Sequence, residues 1–135
     1  MSHTFSRRQF VASAVAFLFL PRGARAMRSP GLHPSPRPGI TAAKVLTSDR
    51  LDGKADLIDV FDGVREIPQV IDGIRCQCGC ATSDGFYSLL SCYEGDKAMA
   101  KICHICQGEG KLAIRLHREG KSLDEIRAAI DAKFG

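Results

Sequence analysis

The first strong pattern in the chain is a helical repeat of hydrophobic side chains between residues 57 and 74. Apolar residues recur there at alternating steps of three and four, which places them on one face of a helix. Because proline is tolerated in a first helical turn but not in mid-helix, Pro68 divides the pattern. We therefore expect two helices, over 55–66 and 67–74, the second leading to Cys76. The repeating positions are Leu57, Val60, Val64, Ile67, Ile71 and Ile74.

The longest predicted helix covers residues 96–119, where one side is polar and largely basic and the other is mostly hydrophobic. In such a helix Cys103 and Cys106 face inward, about two turns from its N-terminus. His104 lies about 100° around the axis from Cys103, so we expect a solvated histidine rather than a metal ligand. The polar side carries Lys101, His104, Gly108, Lys111, Arg115 and Arg118; the other side carries Met99, Ile102, Cys103, Cys106, Ala113 and Leu116.

The last predicted helix has the clearest boundaries. Gly120 is typical of a helix end, and Ser122 with Glu125 forms a capping box before the next helix. Residues 75–87 are predicted to be a loop and 88–93 a single helical turn, and no segment has a convincing strand pattern. We therefore predict an all-α fold over residues 41–135, a small bundle of four or five short helices around a cysteine cluster.

Residues 1–26 have the features of an export signal. Arg7 and Arg8 form a twin-arginine pattern. The apolar run that follows, over 10–20, is shorter than the roughly 20 residues that span a membrane. Small residues around Ala26 indicate cleavage there. We expect a periplasmic protein, exported by the twin-arginine route, with no stable membrane span after cleavage.

Residues 27–40 are predicted to be a spacer, because prolines alternate there with glycine, serine and arginine. Such a composition favours an extended, solvated chain that does not build a core. We expect His33, which lies in this spacer, to be solvated as well. The prolines are Pro30, Pro34, Pro36 and Pro38.

The formal net charge of +4 arises from the predicted signal, which holds four arginines and no acidic residue. Without it, 15 Lys and Arg residues balance 15 Asp and Glu residues. A nearly neutral mature chain has no basic patch of the kind that binds nucleic acid, so we exclude that partner.

All six cysteines lie within residues 76–106. Soft metals prefer thiolate ligands, and clustered thiols can supply several of them to one ion. A Cys-x-Cys loop can direct two sulfurs to one point, and Cys103 and Cys106, one helical turn apart, can add two more. The sequence therefore predicts a site for Cu(I) or Zn²⁺, with Cys92 as a ligand or as a bridge partner. The candidate metal ligands are Cys76, Cys78, Cys80, Cys92, Cys103 and Cys106.

Two other uses of the thiols stay open. Six cysteines in an exported chain also fit a disulfide-stapled interaction domain without metal. A bridge between cysteines two residues apart closes a very small ring and restrains little chain, so we expect bridges between the clusters instead. Examples are Cys80 with Cys92 and Cys76 with Cys103.

The second open use is a redox dithiol formed by Cys103 and Cys106. Two turns inside a helix, the helix dipole has faded and does not acidify these thiols. No catalytic triad, phosphate loop or carboxylate pair stands out elsewhere, so an enzyme is the less favoured class of protein.

Four segments of the sequence together resemble the bacterial PCYCGC-motif proteins, and the likeness covers about residues 60–134. The resemblance implies a small, exported, mostly helical domain, but it implies little about activity because that family is essentially uncharacterised. The segments are Cys76-Gln77-Cys78-Gly79-Cys80, Ser88-Leu89-Leu90-Ser91-Cys92-Tyr93, Cys103-His104-Ile105-Cys106 and Glu119-Gly120-Lys121-Ser122.

The chain departs from the family pattern at several positions. Arg75 and Gln77 stand where the name motif has proline and tyrosine. Two histidines expected from the family are absent, and Tyr87 and Lys97 occupy those neighbourhoods. A metal site in this chain would therefore rest on sulfur alone. The expected partners are the metal ion and another periplasmic metallochaperone or oxidase-assembly protein.

Overall fold

The computed structural model describes residues 32–135. The predicted export signal over 1–26 and the start of the predicted spacer lie outside the described residues. The described chain forms α-helices joined by short turns, with 3₁₀ turns at Ser48–Arg50, Leu89–Tyr93 and Met99–Lys101. The helices are α1 (Ala55–Glu66), α2 (Pro68–Asp72), α3 (Cys80–Ser83), α4 (His104–Arg118) and α5 (Leu123–Phe134).

The predicted all-α fold is confirmed. Over residues 32–135 no strand forms, and the sheet-like pairing there is an isolated bridge between Val45 and Glu94. Within the same residues, no helix has the length and apolar character needed to cross a membrane.

The first two helices follow the predicted pattern closely. Five of the six repeating hydrophobic positions are buried, and Ile67, at the junction between α1 and α2, is partly buried. Pro68 occupies the start of α2, where its missing N–H costs no helical hydrogen bond. The division of this segment at Pro68 is therefore confirmed.

Helix α4 begins later than predicted. Residues 99–101 form a separate 3₁₀ turn, and the chain is extended at Cys103 before α4 starts at His104. Ile102, expected on the inward side, is instead 78% exposed. The hydrophobic repeat continues through this break, so periodicity alone predicted one long helix where the chain makes a turn followed by a shorter helix.

The bundle is arranged around α4, which packs against α1 on one side and α5 on the other. Glycines permit close approach: a Cβ at Gly63 of α1 would lie 2.6 Å from the Ile114 side chain of α4. A Cβ at Gly110 of α4 would clash with the Tyr93 hydroxyl. That hydroxyl donates a hydrogen bond to the Cys106 carbonyl at 2.6 Å, which ties the 3₁₀ turn at 89–93 to α4.

The C-terminal boundaries are as predicted. Gly120, at φ +80°, takes the left-handed conformation that ends α4, and glycine adopts it without a Cβ clash. The Ser122 side chain accepts from the Glu125 N–H at 3.2 Å, and the Glu125 carboxylate accepts from the Ser122 N–H at 2.8 Å. These two bonds confirm the capping box. A further difference is α3, which lies within the segment predicted as loop.

The expectation of a solvated His33 is wrong, because the segment 32–40 lies against the helical domain. The His33 side chain is 8% exposed, with Nε2 3.1 Å from the Asp131 carboxylate. Its Nδ1 accepts from the Arg75 N–H at 3.0 Å. Farther along, the Pro34 carbonyl accepts a hydrogen bond from Arg127. Proline disfavours regular structure, but it does not stop neighbouring polar groups from docking on a folded surface.

An ion pair of Arg37 with the buried Asp72 also links this segment to the domain. The Asp72 carboxylate is fully buried. It accepts one hydrogen bond from the Arg37 guanidinium at 2.7 Å and another from the backbone N–H of Arg37 at 2.8 Å. The Ser88 hydroxyl donates to it at 2.7 Å. Burial by itself would raise the pKa of Asp72, but these hydrogen bonds outweigh burial and hold the pKa below its ordinary value.

We predict that Arg37→Ala lowers the free energy of unfolding by about 2 kcal/mol at pH 7, because it leaves a buried carboxylate without its cation. Since the pKa of Asp72 is lowered in the fold, its stabilising contribution is present above its ordinary pKa and lost as the pH falls. The cost of the substitution should therefore shrink below about pH 4, as urea unfolding at several pH values would show.

The matched control is Arg50→Ala, which removes the exposed ion pair of Arg50 with Asp96. Exposed pairs contribute little, so its effect should stay within about 0.5 kcal/mol. Equal losses in the two variants would contradict a special role for the buried pair.

Candidate metal centre

Four cysteines from separate parts of the chain meet in the interior beside α4. Cys76 follows α2, and Cys78 lies two residues later in the loop before α3. Cys92 comes from the 3₁₀ turn at Leu89–Tyr93, and Cys106 from the first turn of α4. Their Sγ atoms all lie within 4.8 Å of one another, an arrangement that can hold a metal ion.

The sulfur–sulfur distances describe a tight group. Sγ of Cys76 is 3.1 Å from Sγ of Cys78 and 3.4 Å from Sγ of Cys106. Sγ of Cys106 is 3.6 Å from Sγ of Cys78. Cys76, Cys92 and Cys106 are buried, and Cys78 is partly exposed. We call Cys76, Cys78, Cys92 and Cys106 the four-sulfur cluster.

The two remaining predicted ligands lie at the edge of this cluster. Cys80, the first residue of α3, is joined to Cys78 by a disulfide. Cys103 is partly exposed, and its Sγ accepts from the Cys106 N–H at 3.5 Å. Among residues 32–135 the structure forms neither of the example bridges, Cys80 with Cys92 or Cys76 with Cys103. The disulfide that does form is between cysteines two apart, the kind that we did not expect.

The start of α4 corrects an argument made from the sequence. Cys103 is the N-cap of α4 and Cys106 lies in its first turn, so the two thiols are not two turns inside a helix. Partial positive charge is concentrated at that end of a helix. The argument made against a redox dithiol, a faded helix dipole at Cys103 and Cys106, is therefore wrong.

Burial and mutual contact raise the pKa of the three free thiols in the cluster, Cys76, Cys92 and Cys106, and keep them protonated. The pKa of Cys76 is raised, first by its contact with Cys106 and then by burial. The contact with Cys106 lowers the pKa of Cys92, but the contact with Cys76 and burial together outweigh it, so the net shift is upward. For Cys106 the contact with Cys76 lowers the pKa, and the contact with Cys92 and burial outweigh it in the same way. Such thiols are poor nucleophiles, and they ionise when a metal ion replaces the proton.

A buried carboxylate, Glu109, adjoins the cluster and was not singled out from the sequence. It is 0% exposed, Oε1 accepts from the Gln77 N–H at 2.8 Å, and Oε2 has no hydrogen-bond partner. Burial raises its pKa to about 7, although its proximity to the Cys76 thiol and the bond from Gln77 lower it. The sequence feature that could have identified Glu109 is its position three residues after Cys106, which places both side chains on the same face of the helix.

The histidines of the described chain do not belong to the cluster. His104 is exposed at the start of α4, as predicted, and His117 is exposed near its other end. The His33 side chain lies instead against Asp131 and the Arg75 backbone. The group that can hold a metal therefore consists of sulfur ligands.

The comparison with protein families matches residues 40–135 to a family described as "Protein of unknown function with PCYCGC motif". The chain belongs to the PCYCGC-motif family. The match covers more than half of the sequence and includes all six cysteines. Searches of curated proteins and of solved structures found no match. Membership in the PCYCGC-motif family is thus established, while the chemistry must be argued from the site itself.

We predict that Glu109→Gln reduces the pH dependence of stability in the metal-free chain. The pKa of Glu109 is 4.5 ordinarily and about 7 in the fold, so its protonated form is favoured on folding. The contribution of protonated Glu109 to the free energy of unfolding is complete below pH 4.5 and is lost as the pH rises through 7. This loss lowers the free energy of unfolding by roughly 3 kcal/mol. Urea unfolding at pH 5 and pH 8 should show this loss in the wild type and little of it in Glu109→Gln.

Glu119→Gln is the control, because Glu119 is an exposed carboxylate at the end of the same helix. It should keep the wild-type pH dependence. The raised pKa values of the Cys76, Cys92 and Cys106 thiols keep those groups neutral over this range. If Glu109→Gln loses as much stability between pH 5 and pH 8 as Glu119→Gln, Glu109 is not the titrating group.

Proposed function

We propose that this protein binds a single soft metal ion through the thiolates of the four-sulfur cluster. The observation that carries the proposal is the convergence of four sulfur atoms, from four positions in the chain, within 4.8 Å of one another. Three of these four cysteines are buried. A site of this kind suits storage, sensing or transfer of a metal ion.

The geometry favours Zn²⁺ as the ion, with Cu(I) as the alternative. A tetrahedral zinc site with Zn–S bonds near 2.3 Å places its sulfurs about 3.8 Å apart. The cluster has sulfur–sulfur distances of 3.1, 3.4 and 3.6 Å and none above 4.8 Å, so small side-chain shifts reach that geometry. Thiolates also select Cu(I), so sulfur chemistry by itself does not exclude copper.

The Cys78–Cys80 disulfide favours a second candidate function, a stapled domain without metal. This bridge joins cysteines only two positions apart in the sequence, so the loop that it closes is very short and it restrains the unfolded chain very little. The remaining cysteines are free thiols in the described structure. A disulfide framework therefore explains one pair, whereas a metal site explains why the other thiols converge.

We extend the proposal to where the protein acts. The twin-arginine pattern at Arg7 and Arg8 supports export to the periplasm. That route carries folded proteins, so a metal can be bound before the thiols meet an oxidising compartment. There the metal would pass to or from another periplasmic metallochaperone or an oxidase-assembly protein.

Replacing both Arg7 and Arg8 with lysine should keep the chain in the cytoplasm, which cell fractionation would measure.

We predict that Cys106→Ser lowers the affinity for Zn²⁺ by at least about tenfold, because it removes one of the four proposed ligands. At a buffered free zinc concentration that half-saturates the wild type, less than about a tenth of the variant chains should then hold zinc. The test is elemental analysis of the full chain, purified under reducing conditions and dialysed against buffered zinc. Circular dichroism would check that the variant stays helical.

Cys103→Ser is the matched control, since Cys103 lies in the same turn of α4 but outside the four-sulfur cluster. Serine is a good N-cap, so this variant should fold and hold as much zinc as the wild type at the same free zinc concentration. Loss of zinc in Cys103→Ser with retention in Cys106→Ser would contradict the assigned ligands. Absence of tightly bound Zn²⁺ and Cu(I) in the reduced wild type would refute a metal function.

A further inference from the structure

One sulfur atom takes part in two arrangements that exclude each other. Sγ of Cys78 belongs to the four-sulfur cluster, and it is also bonded to Sγ of Cys80. A sulfur in a disulfide has no thiolate charge to give a metal ion, so Cys78 is a full ligand only when its bond to Cys80 is reduced.

We propose that reversible formation of the Cys78–Cys80 disulfide controls metal release from the cluster. This inference rests on the proposed metal function. Reduced Cys78 completes four thiolates, which suit Zn²⁺, whereas the oxidised pair leaves the three thiols of Cys76, Cys92 and Cys106. Cys80, although outside the cluster, then determines when the metal leaves.

The bridge is poorly suited to a structural role. It joins residues separated by two positions, so its contribution to loop-closure entropy is small. Gly79 between them has φ +88°, a left-handed conformation that a glycine adopts readily and that turns the chain between the two sulfurs. The same short loop can therefore hold Cys78 toward the metal or toward Cys80.

Little movement separates the two states. While bonded to Cys80, Sγ of Cys78 stays 3.1 Å from Sγ of Cys76 and 3.6 Å from Sγ of Cys106. Reduction and metal binding thus require local shifts of side chains rather than unfolding of the bundle.

Among the four-sulfur cluster and Cys80, access to solvent favours Cys78 as the sulfur that meets an oxidant first, while Cys103, also partly exposed, lies outside both groups. Cys78 is partly exposed, while Cys80 and the other three cluster cysteines are 5% exposed or less. A small external disulfide, RS–SR, can therefore reach Cys78 before the other thiols of the cluster.

The exchange proceeds in two balanced steps. The Cys78 thiolate leaves the metal and attacks RS–SR, which forms a Cys78–SR mixed disulfide and releases RS⁻. Cys80 gives its proton to that RS⁻ and attacks Sγ of Cys78, which forms the Cys78–Cys80 bond and releases the second RS⁻, protonated by water. Two cysteine sulfurs lose two electrons in total, and the external disulfide gains them.

The test uses the reduced full chain loaded with one equivalent of Zn²⁺ and treated with oxidised glutathione. A chromogenic chelator follows released zinc, and peptide mapping by mass spectrometry identifies disulfides. We expect zinc release to coincide with the Cys78–Cys80 bridge and the apparent zinc affinity to fall by more than about tenfold. Reduction with a dithiol should restore binding.

Cys80→Ser should bind zinc as tightly as the wild type when reduced, but release it at least about tenfold more slowly under glutathione oxidation. Cys103→Ser, which alters a cysteine outside both the bridge and the cluster, should respond as the wild type does. Cys80→Ala repeats the test with a second side chain in case serine disturbs folding.

The outcomes separate this inference from the proposed function. If the reduced wild type binds neither zinc nor Cu(I), the metal function itself fails. If zinc binds but Cys80→Ser and Cys80→Ala release it as fast as the wild type, the function stands and redox control is overturned. Release accompanied by other disulfides or stable glutathione adducts, without the Cys78–Cys80 bridge, overturns it as well.

Discussion

The arrangement of the whole domain depends on holding four sulfur atoms, from separate segments, within 4.8 Å of one another. Two hydrogen bonds attach segments that carry these cysteines to α4. The Tyr93 hydroxyl bonds to the Cys106 carbonyl, and the Glu109 carboxylate accepts from the Gln77 N–H, inside the Cys-x-Cys loop. Because a small domain buries little apolar surface, such specific ties have a large share in defining one structure.

Two carboxyl groups, Asp72 and Glu109, are both fully buried, but their surroundings offset the cost of burying a charge to different extents. Asp72 accepts hydrogen bonds from Arg37 and Ser88, and its pKa stays below the ordinary value. Glu109 has one backbone donor and an unpaired oxygen, and its pKa rises to about 7. Asp72 therefore anchors the N-terminal segment as a charged group, whereas Glu109 favours its protonated form and lies beside the sulfurs that would bind the proposed metal ion.

The predictions from sequence succeeded where local chemistry decides the structure. The helix break at Pro68 and the capping box of Ser122 and Glu125 depend on residues close together in the chain, and both appear as expected. The start of α4 was missed because a cysteine is not a common N-cap and the apolar repeat continues across the turn. His33 was missed because its partners, Asp131 and Arg75, are distant in sequence.

The sequence by itself determined the helical fold, the extent of α1, the helix break at Pro68, the start of α5 and the presence of clustered thiols, because side-chain periodicity and capping act over a few residues. Only the tertiary structure decided which thiols meet. It grouped Cys92 with Cys76, Cys78 and Cys106, left Cys103 as a helix cap, and placed Cys80 in a bond to Cys78. The meeting of Cys92 and Cys106 with Cys76 and Cys78 arises from packing between remote segments, a property that spacing along the chain does not encode.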